Sequence, residues 1–166
     1  QKKPTWGTCA GLILLSDQAN ATKQGGQELI GGLGVRVHRN HFGRQIESFE
    51  ADLSLPFLSS TGSPSSFSGV FIRAPVVEEV VGGNVEVLAK LPGRLDRMKK
   101  GVSVAETKDD SGDIVAVRQG NILGMSFHPE LTSDERIHVW WLRELVKNMI
   151  DETEMTMNNY RLLRDM

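Results

Sequence analysis

One cysteine, Cys9, stands in a chain of 166 residues. No disulfide framework can therefore form within it, and a free thiol fits a reducing compartment, read here as the cytoplasm. Neither sign of charge prevails. A net charge of −2 leaves no electrostatic footprint for nucleic acid or for an anionic membrane. No apolar run approaches the roughly 20 residues that cross a bilayer. No signal-peptide pattern and no internal repeat is visible. His38, His41 and His138 fall at no metal-ligand spacing and are read as surface or packing residues. Gly31-Gly32 and Gly82-Gly83 precede no helix at phosphate-binding spacing and are read as turns. What is present is ordinary: 39% hydrophobic and 24% charged residues, enough for one globular domain with a core. The chain opens on Gln with its cysteine close behind. It reads as the C-terminal portion of a longer protein.

Strands are expected at 35–38, 70–73, 85–89, 114–117 and 122–127, with another at 48–53 from its alternation. The turn Gln119-Gly120-Asn121 predicts a hairpin. Helices are expected over 11–21 and 134–150. The second opens on Thr132-Ser133-Asp134-Glu135, a capping-box pattern with Thr132 at the N-cap and Glu135 at N3. Ile137, Trp141, Leu145 and Met149 recur there at helical spacing. Trp140 and Trp141 predict core plus one partly exposed ring. Residues 59–66 and 91–113 read as loops, with Lys99-Lys100 a solvated charge pair. Arg44 and Arg118 read as ion-paired structural residues in preference to part of a subunit interface. The domain is expected over 1–150, with 151–166 a polar, Met-rich tail that frays. A helix after Cys9, short strands and a closing helix predict an α/β protein.

The chemistry concentrates in two places. Cys9 sits in Trp6-Gly7-Thr8-Cys9-Ala10-Gly11, ahead of the apolar run Leu12-Ile13-Leu14-Leu15. Small neighbours suit a nucleophile on a sharp strand-to-helix turn, where larger side chains would clash. A helix N-terminus there would favour the thiolate. Far downstream lies Ser126-Phe127-His128-Pro129-Glu130. An extended backbone, held by Pro129, puts His128 and Glu130 on one side, so Glu130 can orient the imidazole. Cys9, His128 and Glu130 then make a nucleophile, a base and an orienter. The N–H of Ala10, next after the nucleophile, is the natural oxyanion donor.

Gly7-Thr8-Cys9-Ala10-Gly11 together with Ser126-Phe127-His128-Pro129-Glu130-Leu131 resembles the class I, triad-type glutamine amidotransferases. Four further blocks occur in order: Arg39-Asn40-His41-Phe42-Gly43-Arg44-Gln45, Ser48-Phe49-Glu50, Val70-Phe71-Ile72-Arg73-Ala74-Pro75 and Val115-Ala116-Val117-Arg118-Gln119-Gly120-Asn121. They look like the glutaminase subunits of pyridoxal 5′-phosphate synthase. The likeness runs from about residue 3 to about residue 145. It implies a flavodoxin-like, three-layer fold with a mixed, mainly parallel sheet flanked by helices, here truncated at its N-terminus. It implies hydrolysis of L-glutamine to glutamate and ammonia, with the ammonia passed to a barrel-shaped synthase subunit that builds the vitamin B6 cofactor. No cofactor or metal is implied for this chain. Cys9, His128 and Glu130 match the family's triad; Arg39, Ile72 and Arg73 match its glutamine-binding positions. An Arg suits the substrate α-carboxylate by bidentate pairing.

The chain departs from that pattern. An upstream Leu-Pro-Gly-Gly-Glu-Ser block, which supplies part of the family's oxyanion hole, is missing. Residues 91–113 are longer than in compact bacterial relatives and suggest a eukaryotic source. Gly34 replaces a common acidic residue and is read as a turn variant. Two other functions remain open: an inactive docking module of the same complex, and a stand-alone cysteine hydrolase of γ-glutamyl substrates.

Overall fold

The computed structural model describes residues 3–20, 28–39, 41, 48–59, 62–91 and 113–164. Among them run nine strands and three helices: β1 (Thr5–Thr8), α1 (Ala10–Leu15), β2 (Ser16–Asn20), β3 (Leu33–His38), β4 (Ser48–Ser54), α2 (Pro56–Ser59), β5 (Ser66–Ile72), β6 (Val76–Val80), β7 (Glu86–Leu91), β8 (Asp113–Gln119), β9 (Ile122–Met125) and α3 (Arg136–Arg164). Seven strands form one curled sheet in the order β1-β9-β8-β6-β3-β2, with β7 also on β8, while β4 and β5 form a separate antiparallel pair.

The sheet is mixed, as expected, but less parallel than expected. Only β1 with β9 and β2 with β3 run parallel, whereas β3–β6, β6–β8, β7–β8 and β8–β9 are antiparallel. Connection length is one reason. The two residues Gly120-Asn121 can only turn β8 back on itself into β9, and Gly120 takes φ 59° to do so.

Side-chain alternation sorts the core into two layers. On one face Leu12, Ile13 and Leu15 of α1 pack with Leu33, Val35, Val37, Val77, Val117 and Ile122. On the other, Leu123, Met125 and Phe127 meet α3 through Ile137, Trp140 and Trp141, and the β4–β5 pair through Leu53, Phe67 and Phe71. The sheet thus lies between α1 and a layer built from α3 and the small sheet. Close approach needs glycine. A Cβ on Gly7 would stand 2.5 Å from the Gly11 carbonyl carbon, and one on Gly124 would meet Leu12 at 2.6 Å.

Several local expectations change. The helix after Cys9 stops at Leu15, not residue 21. Ser16 turns extended there, its Oγ donates to the Ile13 carbonyl at 2.7 Å, and the polar residues that follow pair with β3 as β2. Strands β2 and β6 lie outside the expected segments. At the other end α3 runs unbroken for 29 residues, so 151–164 is helix rather than a frayed tail. Its start is two residues later than expected, and the capping box is replaced by a relay. Thr132 Oγ1 accepts the Asp134 N–H at 3.2 Å, and Asp134 accepts the Arg136 N–H at 3.1 Å. The Arg136 guanidinium beside Asp134 holds that carboxyl below its usual range. It also donates to the Pro64 and Ser66 carbonyls at 2.6 and 2.7 Å, tying the start of β5 to the helix.

Both tryptophans are buried, Trp140 4% and Trp141 8% exposed, because α3 lays them against Phe57 and Trp6. Arg118 is structural as expected. It pairs with Glu144 at 2.8 Å and lies over the Trp140 ring. Gly34 is no turn variant. It sits inside β3 with its backbone against Gly82, where a Cβ would stand 2.6 Å from the Gly82 Cα, and its carbonyl accepts two N–H groups at 2.8 Å. Gly31 and Gly32 lie in the connection ahead of β3, at φ 75° and 107°. Of the 91–113 loop only the ends are described; Lys99, Lys100 and Arg44 lie outside the described residues.

Candidate active site

Two parallel neighbours create the site. β1 and β9 pair from Thr5↔Ile122 to Thr8↔Met125. Cys9 follows one strand directly, and His128 follows the other after Ser126 and Phe127. Adjacent parallel strands lie about 4.8 Å apart, so residues distant in sequence emerge at one sheet edge. The Cys9 N–H donates to the Met125 carbonyl at 2.8 Å and ties the two ends together.

Cys9 itself is strained. It takes φ 49° and ψ −104°, a backbone that residues with a Cβ rarely adopt and that costs about 1–3 kcal/mol. The strain comes from the turn: β1 must reverse into α1 within one residue, and Gly7 and Gly11 let the two pass at contact distance. The result is a side chain lifted off the backbone at the strand end. Its thiol donates to the Ile72 carbonyl at 3.7 Å.

β5 supplies the third wall. The His128 N–H donates to the Val70 carbonyl at 2.8 Å, so alternate carbonyls of one strand hold the histidine backbone and the cysteine thiol. Arg73 follows at φ 43°, and Ala74-Pro75 leads into β6. β3 ends beside this corner, because His38 pairs with Val76; Arg39 is the next residue, half-buried.

His128 Nδ1 lies 2.7 Å from Glu130 Oε1, with His128 19% and Glu130 47% exposed. A carboxylate only accepts, so Nδ1 carries the proton and Nε2 is left as a base. The route to this contact differs from expectation. Pro129–Leu131 forms a 3₁₀ turn, not an extended segment, with Pro129 at its start. Pro favours that position because its missing N–H would have had no partner there.

The expected lowering of the thiol is not found. Burial pushes the Cys9 thiol up; the Glu130 carboxylate adds to this, while the Ala10 N–H and Arg73 pull down by less. Desolvation prevails over the Ala10 N–H at the start of α1, a helix of only six residues.

The structure therefore brings Cys9, Ala10, Ile72, Arg73, His128 and Glu130 together, with Arg39 at the end of the neighbouring strand. Sequence reasoning missed the holding roles of the Val70 and Ile72 carbonyls, since backbone acceptors leave no residue signature. The remaining histidines pack as expected. His138 packs tilted against Trp6 at 5.0 Å, and His38 meets His41 edge-on at 5.5 Å. Among the described residues no cluster of acidic, His or Cys side chains could hold a metal.

Known proteins carry the same arrangement of sequence. The chain is 50% identical over 147 residues to a probable pyridoxal 5′-phosphate synthase subunit PDX2 of Arabidopsis thaliana, covering 85% of this chain and 57% of that protein. It is 46% identical to the pyridoxal 5′-phosphate synthase subunit PdxT of Kineococcus radiotolerans, covering 84% and 58%. A solved structure described as a glutamine amidotransferase superposes with a TM-score of 0.62 at 43% identity, covering 83% of this chain and 58% of that one. The chain thus spans less than two thirds of the length of these relatives. A strained cysteine between β1 and α1, with His128 and Glu130 at the end of the adjacent parallel strand, lies inside residues 1–147, which match the SNO glutamine amidotransferase family, and the chain belongs to that family.

Proposed function

We propose that this chain is the glutaminase portion of a pyridoxal 5′-phosphate synthase, hydrolysing L-glutamine to glutamate and ammonia for a barrel-shaped synthase subunit. The observation that carries this reading is the strained Cys9 at the end of β1, beside the His128–Glu130 pair at the end of β9. The family and the named relatives support it.

In this reading His128 Nε2 removes the Cys9 proton as sulfur attacks the carboxamide carbon of glutamine. The carbonyl oxygen becomes an oxyanion, and the N–H of Ala10 stabilises it. His128 returns the proton to the departing nitrogen, ammonia leaves, and a thioester remains. Water, activated by the same histidine, releases glutamate. Glu130 keeps the imidazole in its working tautomer and stabilises its charge. Arg73 and Arg39 suit the α-carboxylate, and the backbone at Ile72 the α-amino end. The raised thiol makes proton removal part of the reaction, which fits an enzyme that idles until its partner docks. A free cysteine suits the cytoplasm. Among the described residues no helix is long and apolar enough to cross a membrane.

The test is glutamate release from L-glutamine by this chain, with and without the synthase subunit. Partner-dependent release that vanishes in Cys9→Ala bears the reading out. Release that survives Cys9→Ala sinks it, as does no release even with the synthase subunit present. The second outcome would favour the docking module.

A further inference from the structure

α3 has two apolar faces, and the domain covers one of them. Ile137, Trp140 and Trp141 are buried against the sheet. On the opposite side Val139, Leu142, Val146 and Ile150 recur at i, i+3, i+7 and i+11, a single stripe of a helix. They are 41%, 60%, 56% and 54% exposed. A shallow groove of about 350 Å³ opens beside Val146 and Ile150.

Past Leu145 the described side chains of α3 leave the core. From Val146 to Met155 no described side chain is buried. At 1.5 Å per residue the whole helix is about 43 Å long. An isolated helix the length of its second half is marginal in water, since most helical stability in proteins comes from packing an apolar face. An exposed apolar stripe of this kind is a candidate docking face.

The charges beside the stripe indicate what docks there. One rim carries Arg143 and Lys147, then Asp151 and Glu154: positive toward the start of the helix, negative toward its end. Among the described residues none of these four makes an ion pair. Such a rim complements itself when two copies run antiparallel, because a two-fold axis brings the same rim of each helix together. With that axis near residue 148, Arg143 of one copy faces Glu154 of the other, and Val146 faces Ile150.

We propose that α3 is a self-association face, on which a second copy of this chain docks antiparallel through Val139, Leu142, Val146 and Ile150, with Arg143 set against Glu154. The face lies on the far side of α3 from the sheet, so pairing leaves the sheet edge bearing Cys9 uncovered.

The test is sedimentation equilibrium on the full 166-residue chain and its variants. The unchanged chain should approach twice its own mass as concentration rises. Val146→Glu with Ile150→Glu should stay monomeric while its far-UV circular dichroism keeps the folded signal; both sites are exposed, so the fold does not need them. Arg143→Glu alone should weaken association on the order of tenfold, since two symmetric attractions become repulsions. Arg143→Glu with Glu154→Arg should restore it. A monomer at all concentrations would overturn the proposal and give the stripe to a different partner. Association that survives the two glutamates would also overturn it, as would a charge swap that fails to rescue.

Discussion

At Cys9 a single backbone conformation carries both strain and chemistry. Glycine tolerates φ 49° far better than a residue with a Cβ. Cys9→Gly should therefore raise stability by about 1 kcal/mol, read as a higher urea midpoint, while abolishing glutamate release. The thiol offers a second check. Its affinity for the proton is raised chiefly by burial, with Glu130 adding to it and Arg73 opposing it. Alkylation by iodoacetamide follows the thiolate fraction, so it should be slow at neutral pH and climb with a midpoint above that of an exposed cysteine. Glu130→Gln removes a raising charge and should shift that midpoint down. The same change loses the orientation of His128 and should lower turnover. Faster alkylation with slower catalysis would separate the two effects of one carboxylate; a midpoint that does not move would contradict this account of the thiol.

Elements meet here through contacts that only certain residues allow. α1 crosses β1 where Gly7 faces Gly11, and a methyl on Gly7 would collide with backbone. Gly7→Ala should cost about 1–3 kcal/mol and displace Cys9, seen as a lower melting temperature together with lost alkylation selectivity. The start of α3 is secured differently, by Arg136 reaching Asp134 and two carbonyls of the 64–66 segment. Arg136→Ala should destabilise by about 1 kcal/mol. The depressed Asp134 carboxyl adds a pH signature. Its contribution is present above the unfolded carboxylate range and is lost as pH falls through the lower folded value. The stability difference between the unchanged chain and Arg136→Ala should therefore shrink in acid; a constant difference would remove Asp134 from the explanation.

On the scale of the whole molecule, packing is uneven. β8 and β9 lie between two apolar layers and the inner half of α3 packs one face onto one of them, whereas the described side chains from Val146 onward leave the core. Hydrogen exchange should report this directly. Amides of Val115, Val117 and Leu123 should exchange most slowly, and those from Val146 onward within the dead time in dilute solution. If α3 pairs with a second copy, protection from Val146 onward should appear as concentration rises, with no change in β8.

Much of this protein was open to reading along the chain. Short apolar, β-branched runs disclosed β3, β5, β7, β8 and β9, alternation disclosed β4, and the Gly120-Asn121 turn disclosed the hairpin, because these signals are local. The sequence by itself also determined which residues could do chemistry: one cysteine among small neighbours, and a histidine two residues before a glutamate. Only the tertiary structure decided the rest. Ser16–Asn20 is a strand because β3 offers it a ladder, and 151–164 is helix although nothing in its composition demands one. Gly34 lies inside a strand because Gly82 comes against it from elsewhere in the chain. The site came together because β1 and β9 run parallel and end side by side, and burial there pushes the thiol up. Pairing and burial depend on which distant segments become neighbours, and no stretch of sequence contains that on its own.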